Sequence, residues 1–326
     1  MSYDNQMRNW PAEGFGPRIR RREFVAGALA MTLAQEARAG RAPQAGEMWS
    51  RTEGEGRDLI FVHGWTMDHR DEARTYEPIF ANRPGWRRHY LDLPGMGRSP
   101  RRENIVNLDG MLEALLDFIQ DRVEGTFAIA GTSTGAYLAR GVIARMGDRV
   151  RGAILRAPMI IPDDSRRDVD PIEPVLRDPS VLAEMSAGDR ERLGELLVQT
   201  PSYAAAKRRK LDEAVAPAIA AADQAFLAAI RQQPSRYRLS FDPDAAIGRF
   251  DQPALIITGR HDESVGYRDA WPLARVFARS TFVVLDRAEH GLPIDQQRVF
   301  TALVNDWLDR LDEASAFDPG ARSRPG

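Results

Sequence analysis

Uninterrupted apolar runs of strand length alternate along the chain with longer stretches whose apolar residues recur every three or four positions. The runs are Leu59-Ile60-Phe61-Val62, Phe127-Ala128-Ile129-Ala130, Ala153-Ile154-Leu155, Ala254-Leu255-Ile256-Ile257 and Phe282-Val283-Val284-Leu285. Each reads as a strand, the first of them as a buried one. Residues 47–52 predict an edge strand, turning at Gly54-Glu55-Gly56 into the first of these runs. Tyr90-Leu91-Asp92 predicts another strand, entering the loop Leu93-Pro94-Gly95-Met96-Gly97-Arg98-Ser99. Helical spacing predicts helices over 72–82, 107–122 and 295–311. In the second, Leu108, Met111, Leu112, Leu115, Phe118 and Ile119 share one face; in the third, Phe300, Leu303, Val304, Trp307 and Leu308 do. Strands alternating with helices of this length imply an α/β fold, a doubly wound and mostly parallel sheet. Ligands then bind beyond the C-terminal ends of the strands.

Residues 158–240 break the alternation. They are rich in charge, proline and alanine, and they carry helical periodicity without a strand signal. Ser186-Ala187-Gly188-Asp189 reads as a helix start, with Leu193, Leu196 and Leu197 as its apolar face. Residues 204–230 predict one or two further helices, interrupted at Pro217. Lys207-Arg208-Arg209-Lys210 is a compact basic cluster, read as a solvated helix face or as a site for a substrate carboxylate.

Candidate chemistry gathers at four strand ends. Gly131-Thr132-Ser133-Thr134-Gly135 follows one strand and precedes a helical stretch over 136–146, the strand–turn–helix setting of a nucleophile elbow. A second strand ends in His63-Gly64-Trp65, a third in Thr258-Gly259-Arg260-His261-Asp262, and a fourth leads to Glu289-His290-Gly291. With Ser133, Asp262 and His290 in that order, the chain resembles the α/β-hydrolase superfamily from about residue 47 to residue 311.

The resemblance implies that the insertion over 159–240 is a helical cap and that 45–158 with 241–313 form the core. It also implies roles. Ser133 would attack a carbonyl carbon, His290 would take and return the proton, and Asp262 would fix the imidazole tautomer. Backbone N–H groups of Trp65 and Thr134 would form the oxyanion hole. Asp163, after the preceding strand, is the alternative acid. His63, Met67, His69 and His261 are candidate pocket residues. Of these, His63 would shape the oxyanion loop by hydrogen bonding, His69 would sit either at substrate or on the surface, and His261 would be structural or pocket-lining. Asp92 reads as structural. Ser133 argues against the aspartate-nucleophile epoxide hydrolases and haloalkane dehalogenases. The absence of Gly-Gly-Pro-Gly after His63 argues against proline iminopeptidases, and Ala136 stands where most members carry a second glycine. What remains is hydrolysis of a small-molecule ester, thioester, lactone or amide, or of a carbon–carbon bond in dienoate-type compounds. The alternative is a non-hydrolytic receptor, lyase or cyclase of the same fold, since fold alone does not decide function.

Composition narrows the remaining classes. The chain has 326 residues, 43% hydrophobic and 28% charged, with a net charge of −2, which is the balance of a globular protein with no mark of a nucleic-acid binder. It has no cysteine, which excludes disulfides and thiolate chemistry, and its five histidines lack metal-ligand spacing, so neither metal nor cofactor is expected.

Residues 1–44 read as an addition to the folded unit, and 314–326 as a disordered tail. Arg21-Arg22-Glu23-Phe24 precedes a short apolar stretch and Ala37-Arg38-Ala39, the layout of a twin-arginine export signal. The apolar stretch is far too short to span a bilayer, so no stable membrane insertion is expected. The competing readings are a basic amphipathic helix or a leader from a misplaced start codon. Export would place the mature protein in the periplasm or outside the cell; otherwise it is cytoplasmic. Replacing Arg21 and Arg22 by lysine should leave uncleaved protein in the cytoplasm, because such a signal is an address read by a receptor. Mass spectrometry of the N-terminus checks this, and active cytoplasmic protein with an intact leader would reject export.

Overall fold

The computed structural model describes residues 47–294 and 296–316. The expected leader, and the expected tail from residue 317 onward, lie outside the described residues. In chain order the elements are β1 (Ser50–Glu53), β2 (Arg57–Val62), α1 (His69–Phe80), β3 (Trp86–Leu91), α2 (Leu108–Arg122), β4 (Phe127–Thr132), α3 (Thr134–Met146) and β5 (Val150–Arg156). An insertion follows, with α4 (Pro179–Glu184), α5 (Ala187–Leu193), α6 (Pro201–Lys210), α7 (Ala216–Ala221) and α8 (Gln224–Arg231). The chain then completes the sheet through α9 (Pro243–Ile247), β6 (Ala254–Gly259), α10 (Tyr267–Ala270), α11 (Leu273–Val276), β7 (Ser280–Leu285) and α12 (Gln297–Ala316).

The seven strands lie in the order β1-β3-β2-β4-β5-β6-β7, with only β1 antiparallel to its neighbour. The crossover from β2 to β3 runs in the opposite direction to those from β3 to β4 and from β4 to β5. Right-handed connections therefore send α1 to one face and α2 with α3 to the other. Contacts between α2 and α3, and between α1 and α12, agree with this. Register aligns the strand ends: Val62 pairs with Gly131, Thr132 with Arg156, and Gly259 with Leu285. The segments leaving β2, β4, β6 and β7 thus emerge at one edge of the sheet.

Local chemistry sets the helix bounds. α1 begins three residues before the expected start because the Asp68 side chain accepts from Arg70 N at 3.0 Å, capping the helix. Asn107 caps α2 in the same way through Gly110 N at 3.0 Å, and all six apolar residues predicted for that helix face are buried. α12, expected over 295–311, runs on to Ala316; Phe300, Val304, Trp307 and Leu308 are buried, while Leu303 is only partly so. Gly152 on β5 admits this helix, since a Cβ there would lie 2.5 Å from Leu311 Cδ2. Trp307 also donates its indole N–H to Pro253 O at 3.0 Å.

The insertion has an apolar cluster of its own, in which Val181, Met185, Leu193, Leu196, Leu197 and Tyr203 are buried. Leu196 and Leu197 were expected on the helix with Leu193, but α5 ends there at Gly194, whose φ of 63° leaves helical space. Pro217 does not interrupt the next helix. A π-helical turn at Leu211–Val215 absorbs the irregularity, and Pro217 sits in the first turn of α7, where a missing N–H costs little. No single helix among the described residues is long and apolar enough to cross a membrane.

Trp307 fixes the last helix to the sheet, so Trp307→Ala should remove about 3–5 kcal/mol of stability. Urea unfolding followed by circular dichroism should show the midpoint falling with an unchanged slope.

Candidate active site

Ser133 occupies the turn between β4 and α3 with φ 55° and ψ −119°, outside the ordinary regions for a side-chain-bearing residue. Flanking contacts hold it there. Its N–H donates to Arg156 O at 3.0 Å, and its carbonyl accepts from Ala136 N at 3.0 Å and Tyr137 N at 3.2 Å. The turn is so tight that a Cβ on Gly135 would stand 2.1 Å from Val62 O, and one on Gly131 would stand 2.5 Å from Gly135 O. Glycine at both positions is therefore a steric requirement. The loop after β2 lies beside it with more room, since a Cβ on Gly64 would stand 3.4 Å from Ser133 Cβ, an ordinary van der Waals contact.

Asp262 follows β6 and is buried. One carboxylate oxygen accepts from Ser264 N at 2.8 Å and Val265 N at 2.9 Å; the other lies 2.9 Å from His290 Nδ1. With both oxygens engaged, Asp262 is fixed in orientation, and His290 in turn presents its remaining nitrogen elsewhere. Burial works to lower the pKa of His290, but the charge and hydrogen bond of Asp262 outweigh it and leave the imidazole above its ordinary value. Asp163, the alternative acid, instead accepts from Ser165 N at 3.1 Å and caps a surface loop.

A cavity of about 340 Å³ receives both Ser133 and His290. Trp65, Met67 and Thr134 also line it. The other three candidate pocket residues do not. His63 is fully buried behind the loop, with Nδ1 donating to Gly64 O at 2.8 Å and Nε2 accepting from Leu93 N at 3.0 Å. His69 is neither at the cavity nor on the surface: it is buried with Nδ1 2.9 Å from Asp92 Oδ1, its ring 4.3 Å from that of Trp49. Asp92 also accepts from the backbone N–H groups of His69 and Arg98 at 2.8 Å, so the three buried groups Asp68, His69 and Asp92 are accounted for by capping and turn bonds. His261 is held through its backbone N–H to Ala288 O at 2.9 Å and is not part of the lining.

Most of the rest of the lining was not legible in the sequence, Lys210 excepted, which lies in the basic cluster read as a solvated face or a carboxylate site. Arg156 and Met159 come from the end of β5, and Arg167, Lys210, Val215, Arg231 and Tyr237 from the insertion. Tyr237 meets Trp65 edge-on at 5.0 Å, shares a short hydrogen bond with the Thr134 hydroxyl, and carries the Arg231 guanidinium over its ring at 4.3 Å. Only the apolar character of Val215 and Tyr237 within a polar segment hinted at burial.

Residues 59–297 match the family model of the alpha/beta hydrolase fold. The chain is 25% identical over 269 residues to a pimeloyl-[acyl-carrier protein] methyl ester esterase of Shewanella woodyi, a match covering 79% of this chain and 96% of that one. It is 26% identical over 232 residues to a 2-hydroxy-6-oxo-2,4-heptadienoate hydrolase of Pseudomonas putida, covering 68% and 78%. Among solved structures, an alpha/beta superfamily hydrolase from Oenococcus oeni superposes with a TM-score of 0.72 at 25% identity, covering 83% of this chain and 98% of that one. The chain belongs to the α/β-hydrolase fold family and is a hydrolase of that fold.

Proposed function

We propose that the protein is a serine esterase in which Ser133, His290 and Asp262 form a catalytic triad. The observation that carries this reading is the 2.9 Å Asp262–His290 pair, whose imidazole faces the same cavity as a serine held in a strained elbow. His290 takes the hydroxyl proton as Ser133 attacks the ester carbonyl, then gives it to the departing alcohol. Water repeats the sequence on the acyl-enzyme. Asp262 keeps the Nδ1 proton in place and stabilises the imidazolium. The oxyanion meets the N–H of Thr134, the first residue of α3, and that of Trp65. Helix geometry leaves the former without an intrahelical acceptor. The insertion is the cap that walls the cavity and excludes water.

A small-molecule ester fits this machinery, and the Shewanella woodyi relative, a methyl ester esterase, favours that bond type. Hydrolysis of a carbon–carbon bond is the second reading, favoured by the likeness to the Pseudomonas putida heptadienoate hydrolase. The two differ in the group expelled from the acyl carbon, an alcohol or a carbon fragment, and a short-chain nitrophenyl ester tested beside a dienoate ring-cleavage product separates them.

A fluorophosphonate probe should label the protein once, and the label should disappear in Ser133→Ala together with a rate loss of at least several thousand-fold. Labelling that persists in this variant would remove Ser133 from the role.

Because His290 must be neutral to act as base, and its pKa lies above the ordinary histidine value, kcat/KM should fall on the acid side from an inflection above that value. Asp262→Asn removes the stabilising charge, so it should move the inflection down while cutting turnover by about 10³–10⁴. An inflection unmoved by Asp262→Asn would show that another group titrates.

A further inference from the structure

Helix α6 carries Lys207 and Lys210, the two lysines of the chain, and both reach the loop that presents His290. Lys207 Nζ lies 2.8 Å from Glu289 Oε1, and Tyr203, one turn earlier on the same helix, donates its hydroxyl to that oxygen at 2.9 Å. Lys210 Nζ donates to Gly291 O at 3.0 Å and pairs with Asp71 Oδ1 at 3.0 Å. The residue before His290 and the residue after it are therefore both held by the insertion.

These are not solvated contacts. The Lys207 and Glu289 side chains are 18% and 7% exposed, and those of Lys210 and Asp71 are 20% and 7% exposed. The bonds also continue inward. Asp71 Oδ2 accepts from Arg156 Nη2 at 2.7 Å, Arg156 Nη1 donates to Leu292 O at 3.0 Å, and Arg156 Nε donates to Thr132 Oγ1 at 2.8 Å, next to Ser133. One set of charge-assisted bonds thus runs from α6 through the histidine loop to the elbow.

We propose that Lys207 and Lys210 are positioning residues that make docking of the insertion and placement of His290 a single event. Asp262 fixes only one nitrogen of the imidazole, whereas the direction of the other depends on the backbone at 289–291. With α6 docked, that backbone is held on both sides of His290. With α6 lifted, Glu289 loses the Lys207 ammonium and the Tyr203 hydroxyl, Gly291 O loses its donor, and the imidazole is no longer aimed at Ser133. Closure over substrate and assembly of the base coincide, so an open enzyme is an inactive one. This inference rests on the triad reading given above.

The test uses the full chain and the double variant Lys207→Met/Lys210→Met. Turnover of a short-chain nitrophenyl ester should fall about 10- to 100-fold, the size expected for an ångström-scale misplacement of a catalytic group, with KM nearly unchanged. The rate at which fluorophosphonate labels Ser133 should fall in parallel. Lys207→Glu alone should be slow, and adding Glu289→Lys should restore turnover, since the swap remakes the pair. Wild-type kcat in the folded double variant would overturn the proposal. If that variant does not fold, the charge swap decides: restored turnover supports the latch, and no restoration overturns it. Amide hydrogen exchange over 289–294 gives a readout that does not depend on catalysis. Faster exchange in Lys210→Met supports the latch, and unchanged exchange overturns it. If wild-type protein neither hydrolyses the ester nor accepts the probe, the triad reading fails while exchange still judges the latch.

Discussion

Arg156 sits at the C-terminal end of β5 with 1% of its side chain exposed, and a guanidinium so placed must find every partner within the protein. It finds Asp71 and Glu72 on α1, Thr132 on β4 and the carbonyl of Leu292 after β7. Three segments distant in sequence are thereby drawn to one point beneath the cavity. Such a cluster does not gain much stability over an apolar core of the same shape, but removing one partner from it typically costs about 3–5 kcal/mol. Its value lies in fixing geometry. The two acids divide their load unequally. Burial pushes the Asp71 carboxyl up, but Lys210 and Arg156 together pull it well below the usual carboxylate range. Burial also raises Glu72, and the neighbouring Asp71 charge adds to this while Arg156 opposes it. Glu72 stays raised, with one oxygen left without a hydrogen-bond partner. One guanidinium thus bonds two acids whose pKa values are pushed in opposite directions.

Above this cluster the elbow carries strain that only its surroundings can sustain. Ser133 keeps its unusual backbone because Gly131 and Gly135 allow β4, α3 and the end of β2 to approach closer than any side chain would permit. The same approach brings the Gly64–Trp65 peptide beside the serine. The turn at Ser133 and the loop after β2 are therefore one steric solution, and His63 completes it from behind by bonding across from Gly64 O to Leu93 N.

Features confined to a few adjacent residues were readable in advance. The elbow, the buried strands and the apolar face of α2 each follow from spacing over a handful of positions, so the mostly parallel sheet and the chain order of its motifs were legible. Features made by residues far apart were not. Lys207 and Lys210 look like a solvated helix face because their acids, Glu289 and Asp71, lie 82 and 139 positions away in a chain with no signal linking them. Arg156 passes for a strand residue near the surface, since nothing local announces its burial. His69 was read as exposed or substrate-facing because its partner Asp92 lies across the sheet edge, 23 positions on. Helix bounds failed for a smaller reason: one capping side chain, Asp68, adds a turn that apolar spacing does not register.

The insertion is thus joined to the core in two different manners, and the difference bears on what it can do. Around Trp65, Tyr237 makes aromatic contact, which is non-directional, together with one hydroxyl bond to Thr134. Around His290, α6 makes charge-assisted bonds to defined atoms, which tolerate little displacement. A cover held by the first kind alone could shift to admit substrates without disturbing the chemistry beneath. A cover held by the second kind transmits any shift directly to the residues flanking His290. The π-helical turn at Leu211–Val215 begins immediately after Lys210; its Glu213 pairs with Arg74 of α1, and its Val215 lies in the cavity wall. One continuous run of helix therefore both bonds the residues flanking His290 and supplies Lys210 and Val215 to the wall of the cavity.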